Sequence, residues 1–140
     1  HDVGKIGIPD DILLQPGPLT PEQTELMRSH TEIGGNLMSG SGIPLLDLAE
    51  QIARTHHERW DGSGYPSGLA GEDIPIAGRI VAVADAFDAV CHRRPYKPAV
   101  PAADAWREIA GKGGGDFDPA VIEAFTRALR STGLSMGNES

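Results

Sequence analysis

The segment from His56 to Pro66, which reads HHERWDGSGYP, limits the fold of this chain more than any other segment. Two adjacent histidines lead directly into a glycine-rich turn, an arrangement that suits a metal site beside a mobile loop. The chain also begins with His1 and Asp2, which supply ligands of the same kind. Neutral imidazole and carboxylate are ligands of catalytic zinc, iron and manganese, so the fold is expected to bring these segments together.

Composition narrows the class of protein. The 140 residues suffice for one domain with one hydrophobic core, and 39% hydrophobic and 23% charged residues are ordinary for a globular protein. A net charge of -8 argues against general nucleic-acid binding, so no DNA partner is expected. The single cysteine, Cys91, excludes an internal disulfide and a cysteine-cluster metal site, and it fits a reducing cytoplasm. No apolar run approaches the length of a membrane-spanning helix.

The sequence predicts an all-α fold, because apolar residues recur at helical spacing and no stretch alternates cleanly as a strand does. A first helix is expected to begin at the N-cap Thr20 and to end at residues 40–42. Further helices are expected at about 45–57, from 78, at 101–110 and after the N-cap Asp118, whereas glycines and prolines exclude a long helix between 58 and 75. The expected inward-facing residues are Leu26, His30, Ile33 and Leu37; Leu45, Leu48, Ala49, Ile52 and His56; Val81, Ala84, Asp85 and Asp88; and Val121, Ile122, Phe125 and Leu129.

Three of these inward positions carry polar side chains, namely His30, His56 and Asp85. One buried histidine is usually a hydrogen-bonded core residue, but several polar residues on separate helices favour a shared site. An isolated buried carboxylate is costly, and metal coordination is a common way to compensate for that cost. Helix bundles build metal sites from inward-pointing side chains of facing helices.

A series of motifs resembles the HD-GYP domain of the HD superfamily. The motifs are H-D-x-G-K at 1–5, H-x-x-x-G at 30–34, H-H-E-x-x-D-G-x-G-Y-P at 56–66, I-P at 74–75, R-I-V-A-V-A-D-A-F-D-A at 79–89, R-P-Y-K at 94–97 and F-D-P at 117–119. They follow the order and spacing of that family across nearly the whole chain. The resemblance assigns residues 1–130 to an HD-GYP domain without its first helices and leaves 131–140 as a C-terminal tail.

This resemblance implies a helical domain that holds two or three divalent metal ions, most often iron or manganese, and hydrolyses the bacterial second messenger cyclic di-GMP. The implied metal ligands are His1, Asp2, His30, His56, His57 and Asp85, with Asp2 bridging two metals. Lys5 would contact the scissile phosphate and act with Asp2 in catalysis. The implied ligand-binding residues are Tyr65, Arg94 and Lys97.

Some of these residues have a structural alternative. Arg94 and Lys97 fit a solvated surface turn equally well, and Tyr65 fits a packing role as well as a stacking surface for a guanine base. Glu58 orients a ligating imidazole, belongs to the loop or remains a solvated charge.

The glycine-rich turn has its own alternative, since Gly62 and Gly64 are also explained by a need for positive φ, and Asp61 by a cap on the turn.

Two other functions remain open: a non-catalytic module that binds cyclic di-GMP or a partner protein, and a phosphodiesterase for another cyclic dinucleotide or nucleotide. The chain lacks an initiator methionine and starts inside the first motif, and the family places a further histidine and often a glutamate upstream of His1. We therefore expect a fragment of a cytoplasmic signalling protein, weak or inactive alone. Its expected partners are a fused or associated sensor or receiver domain upstream and GGDEF-type proteins.

Overall fold

The computed structural model of the chain describes residues 1–92 and 100–133. Within these ranges every regular element is helical, apart from one isolated bridge between Gly113 and Phe117, so the all-α prediction is confirmed. The elements are a 3-10 helix, η1 (Val3–Gly7), and then α1 (Asp10–Leu13), α2 (Pro21–Arg28), α3 (His30–Met38), α4 (Pro44–Thr55), η2 (Gly71–Asp73), α5 (Ile76–Cys91), α6 (Ala102–Ala110) and α7 (Pro119–Ser131).

The main hydrophobic core lies between α5, α6 and α7. Trp106 of α6 is buried, stacks on Phe125 with ring centroids 5.3 Å apart, and donates its indole N–H to Thr126 Oγ1 over 3.1 Å. The other buried members of this core are Val83, Val90, Ala105, Ile109 and Val121. This packing fixes α5, the helix that carries Asp85, against the C-terminal half of the chain.

A second packed unit joins η1 to α3 and α4. Gly4 lies so close to α3 that a Cβ atom there would be 1.8 Å from the carbonyl oxygen of His30. Only glycine permits this approach of one backbone to another. The contact sets Asp2, at the start of η1, beside His30.

The C-terminal end of α4 packs against the first turn of α5 through Gly78. A Cβ atom at Gly78 would be 2.1 Å from Thr55 Oγ1, which itself donates to the carbonyl of Gln51 over 2.6 Å. Glycine is unfavourable inside a helix, and this close approach explains its presence. The contact places the histidines that follow Thr55 next to α5.

The predicted helix starts are confirmed where a cap specifies them. Thr20 accepts from the Gln23 N–H while the Gln23 side chain accepts from the Thr20 N–H, a complete capping box. Asp118 caps α7 by accepting from the Ala120 N–H over 2.8 Å. Its other carboxylate oxygen accepts from Arg79 at 2.8 Å, which ties α7 to α5.

The predicted first helix is wrong as a single element, because the chain forms α2 and α3 with a break at Ser29. Leu26 and Leu37 therefore belong to different helices and do not share an inward face. Their side chains are 48% and 60% exposed. His30 and Ile33, which both lie in α3, do face inward.

The predicted inward positions Leu45, Leu48 and Asp88 are also wrong. Leu45 and Leu48 are exposed, because α4 buries its C-terminal half, where Ala53 is fully enclosed. Asp88 is exposed and pairs with His92 at 3.1 Å. Among the described residues, every helix is too short or too polar to traverse a lipid bilayer.

Candidate metal centre

Four of the predicted ligands converge where η1, α3 and the end of α4 meet. Each of Asp2, His30, His56 and His57 offers one ligand atom, and these atoms lie within 4.8 Å of one another. Asp2 Oδ1 is 3.5 Å from His30 Nε2 and 3.6 Å from His56 Nε2. Nitrogen and carboxylate oxygen ligands at such spacing form a donor set that fits a divalent transition metal.

Backbone carbonyls orient both buried imidazoles. His30 Nδ1 is 2.6 Å from the carbonyl of Met27, and His56 Nδ1 is 3.0 Å from the carbonyls of Ile52 and Ala53. Because a carbonyl oxygen only accepts hydrogen bonds, each Nδ1 carries the proton. In the neutral ring the Nε2 atom then has a free lone pair. These two Nε2 atoms face one another across 3.4 Å with a carboxylate beside them. A cation between them satisfies all three groups, so the site fits a metal.

His1 and Asp85 extend the cluster on the other side of Asp2. His1 Nε2 is 3.3 Å from Asp85 Oδ1 and 3.5 Å from Asp2 Oδ2. The His1 ring lies 4.9 Å from the ring of His56, centroid to centroid. The Asp2 carboxylate thus points one oxygen at His30 and His56 and the other at His1. All six predicted metal ligands come together in the structure.

The electrostatics favour the neutral form of His56 and His57 and the ionised form of Asp2. Burial lowers the pKa of His57 to about 4, and burial also lowers the pKa of His56. Burial acts to raise the pKa of Asp2, but the hydrogen bond and charge of Lys5 outweigh it, and the pKa lies below its usual value. Neutral imidazole and ionised carboxylate are the protonation states that bind metals.

Lys5 lies at the edge of this cluster. Its ammonium donates to Asp2 Oδ2 over 2.8 Å. A cation held beside the Asp2 carboxylate would also be near a phosphate bound at this cluster, where a positive group stabilises developing charge.

Tyr65 packs directly on the cluster. Its ring stacks on His57 with centroids 4.8 Å apart, its N–H donates to the His57 carbonyl over 3.2 Å, and the guanidinium of Arg28 lies 4.8 Å from the ring centroid. Burial raises the pKa of Tyr65 to about 12, so its hydroxyl stays protonated near neutral pH. The side chain therefore has a packing role whatever else it contacts.

Glu58 acts on the loop, which is one of its predicted roles, and is not a solvated charge. The residue is buried, and its carboxylate oxygens accept from the backbone N–H groups of Ser67, over 2.8 Å, and Leu69, over 3.1 Å. It fastens the loop that carries Tyr65 to the end of α4.

The glycine-rich turn agrees with its structural alternative at Asp61 and Gly62, whereas Gly64 has no positive φ and is explained by a close backbone approach instead. Asp61 accepts from the N–H and hydroxyl of Ser63 and so caps the turn. Gly62 has φ +84°, which disfavours other residues, and a Cβ atom at Gly64 would be 2.3 Å from the Arg59 nitrogen.

An open cleft of about 290 Å³ adjoins the cluster, a volume near the lower end of the range of small-molecule sites. His56, His57 and Asp85 line it together with Arg59 and Lys112. Sequence reasoning overlooked Arg59 and Lys112, along with Arg28. The sequence indicated these three residues only by their positive charge in an otherwise acidic chain.

The two predicted ligand-binding residues Arg94 and Lys97 lie outside the residues that the structure describes. Their predicted role stays a prediction.

Comparison with known proteins agrees with this site. The HD domain family matches residues 1–121. The chain is 58% identical over 127 residues to a cyclic di-GMP phosphodiesterase of Thermotoga maritima, covering 91% of this chain and 34% of that protein. It is 49% identical over 127 residues to the cyclic di-GMP phosphodiesterase response regulator RpfG of Xanthomonas campestris, with 91% and 34% covered. It is 46% identical over 123 residues to 3'3'-cGAMP-specific phosphodiesterase 2 of Vibrio cholerae, with 88% and 24% covered.

The chain thus spans about a third of the length of two of these relatives and about a quarter of the third. The family match over residues 1–121 includes all six residues of the cluster and the loop that carries Tyr65. This chain belongs to the HD domain family and, by its motifs, to the HD-GYP group within it.

Proposed function

We propose that this chain is the catalytic domain of a metal-dependent phosphodiesterase that hydrolyses cyclic di-GMP in bacterial signal transduction. The observation that carries the proposal is the position of Asp2 Oδ1, within 3.6 Å of two imidazole Nε2 atoms that backbone carbonyls orient toward it. Two relatives at 49% and 58% identity are named for that substrate.

The proposed cofactors are two or three divalent ions, iron or manganese. His30, His56 and His57 would hold one ion, and His1 and Asp85 would hold another, with Asp2 shared between them. Bound metals of this kind supply a nucleophile at neutral pH and neutralise charge on a phosphoryl group during in-line displacement.

The chain's own residues supply positioning and charge. Lys5, kept in place by its 2.8 Å contact with Asp2, would approach a nonbridging oxygen of the scissile phosphate. Tyr65 would present its protonated hydroxyl as a donor beside His57. Arg94 would offer a forked phosphate contact and Lys97 a point charge.

A second substrate is the main rival. A relative at 46% identity is named for 3'3'-cGAMP, which differs from cyclic di-GMP in one base. The non-catalytic module is disfavoured, because the cluster contains all six predicted ligands and backbone carbonyls orient two of them, His30 and His56. Binding of a dinucleotide without hydrolysis does not require so complete a set.

The test is hydrolysis by the purified full-length protein, since this chain alone is expected to be weak or inactive, loaded with manganese or with ferrous iron under anaerobic conditions. Cyclic di-GMP and 3'3'-cGAMP are incubated separately, and products are separated by chromatography. The proposal predicts faster loss of cyclic di-GMP, abolished by chelation and by Asp2→Asn, which keeps the shape of the side chain but removes its charge. Preference for 3'3'-cGAMP would favour the rival substrate. Tight binding of cyclic di-GMP without turnover would favour the non-catalytic module.

A further inference from the structure

The connector between α6 and α7 forms part of the wall of the cleft beside the metal cluster. We propose that Lys112, on this connector, holds the phosphate that is not being cleaved, so that the site selects ligands with two phosphodiester groups. This inference rests on the proposed function and adds a specificity residue to it.

Backbone hydrogen bonds fix the connector to the loop that follows α4. Trp60 N–H donates to the Asp116 carbonyl over 3.1 Å, and Asp61 N–H donates to the Gly115 carbonyl over 2.9 Å. Arg59 also pairs with the Asp116 carboxylate at 3.3 Å. The connector therefore moves with the loop that begins at the ligating histidines.

The backbone of Lys112 is itself held in place. Its N–H donates to the carbonyl of Ile109, a buried core residue, and its carbonyl accepts from Gly115 and Phe117. A glycine-rich connector of this kind is thus a defined turn, and the lysine on it starts from a fixed point. The lysine side chain is 44% exposed and reaches Glu108 only at 3.9 Å, the outer limit of an ion pair.

The charges of the cleft point to Lys112 rather than to Arg59. Asp116 offsets the charge of Arg59 at 3.3 Å, whereas Glu108 lies farther from the Lys112 ammonium. In a chain with a net charge of -8, a dianionic dinucleotide needs local cations wherever its phosphates come to rest. One phosphate would lie at the metals with Lys5, and Lys112 lines the same cleft as His57 and Asp85. A lysine that was only a solvated surface charge would have no reason to favour one substrate over another.

The test compares two substrates of metal-loaded protein: cyclic di-GMP, with two phosphodiesters, and bis(4-nitrophenyl) phosphate, with one. The quantity measured is the ratio of kcat/KM for the first to kcat/KM for the second. Lys112→Ala is expected to lower this ratio about three- to tenfold, the modest size reflecting solvent screening of a partly exposed charge. Lys112→Arg is expected to restore most of it. Arg127→Ala is the matched control, since Arg127 also pairs with a glutamate one helical turn earlier but lies on α7 away from the cleft.

Calorimetric titration of the same metal-loaded variants with cyclic di-GMP gives a second readout, with weaker binding expected only for Lys112→Ala. An unchanged ratio and unchanged affinity in Lys112→Ala would overturn the inference while the wild-type protein still cleaves cyclic di-GMP. An equal loss on both substrates would also overturn it, because it would place Lys112 at the scissile phosphate. Wild-type protein that neither cleaves nor binds cyclic di-GMP would overturn the proposed function as well.

Discussion

Replacing Gly4 by alanine should damage the metal site more than it damages the fold. The new Cβ would lie 1.8 Å from the His30 carbonyl oxygen and 2.5 Å from the Gly34 nitrogen, both backbone atoms of α3. Reaching a tolerable 3.0 Å requires a shift of 1.2 Å, and no side-chain rotation can supply it. The helical segment η1 must therefore move as a whole, and Asp2 moves with it.

Two magnitudes follow from that shift. Forced overpacking costs about 1–3 kcal/mol of stability, a moderate loss. Site residues must be held to about 0.5 Å, so a displacement of 1.2 Å between Asp2 and His30 exceeds what coordination tolerates. Metal occupancy should thus fall sharply in protein that remains folded.

Two other glycines of the same region provide graded controls. A Cβ at Gly7 would lie 3.0 Å from the end of the Ile33 side chain, and that side chain can rotate away. A Cβ at Gly17 would have no neighbouring atom within 4 Å. Gly7→Ala should be mildly destabilising, and Gly17→Ala should be neutral or stabilising by about 0.4–1 kcal/mol through the unfolded state. Urea unfolding of metal-free protein and elemental analysis after dialysis measure the two effects. Gly4→Ala protein with the midpoint and metal content of Gly17→Ala would refute the reasoning.

Three further predictions concern single residues. His57→Ala should lower bound iron or manganese, measured by elemental analysis, whereas His92→Ala, which removes an exposed histidine paired outside the cluster, should leave it unchanged. Glu58→Gln should leave one buried loop N–H without its acceptor and lower the free energy of unfolding by about 1–3 kcal/mol. Amide hydrogen exchange in the loop should become faster, and unaltered exchange would contradict the fastening role of Glu58. Arg94→Ala and Lys97→Ala should each weaken cyclic di-GMP binding about ten- to a hundredfold in calorimetry with metal retained, and unchanged affinity in both would favour a surface turn.

Local chemistry made several elements predictable from the sequence. Thr20 and Asp118 specify helix starts through their own side chains, and glycines and prolines exclude a helix after His57. Six candidate metal ligands were predicted from motifs, and the structure brings these six residues together. These features depend on neighbouring residues or on a recognisable string, so a single sequence contains them.

Other elements depend on contacts that the sequence does not display. The break at Ser29 changes which residues share a face, so periodicity across it misassigned Leu26 and Leu37. Leu45 is exposed because α4 packs through its C-terminal half, which the pattern of α4 alone does not reveal. The η1 and α1 segments were not predicted, because a few residues provide too little periodicity.

In the candidate site, too, some residue roles depend on contacts that the sequence does not display. Glu58 was predicted as a loop residue, a partner of a histidine or a free charge, but not as the acceptor of backbone N–H groups nine and eleven residues further along. Backbone acceptors and donors carry no residue-type signal, so this role could not be read from the sequence. Lys112 escaped notice because its place in the cleft depends on the folding of the connector against the loop after α4.

The central claim is that Asp2 and the imidazoles of His30, His56 and His57 bind a catalytic metal. Crystals of the manganese-loaded protein, measured at a wavelength where manganese scatters anomalously, test it directly. The account predicts an anomalous peak between Asp2 Oδ1 and the Nε2 atoms of His30 and His56, lost in crystals of Asp2→Asn. Protein that hydrolyses cyclic di-GMP with its manganese bound elsewhere, or with no peak among these four residues, would contradict the account.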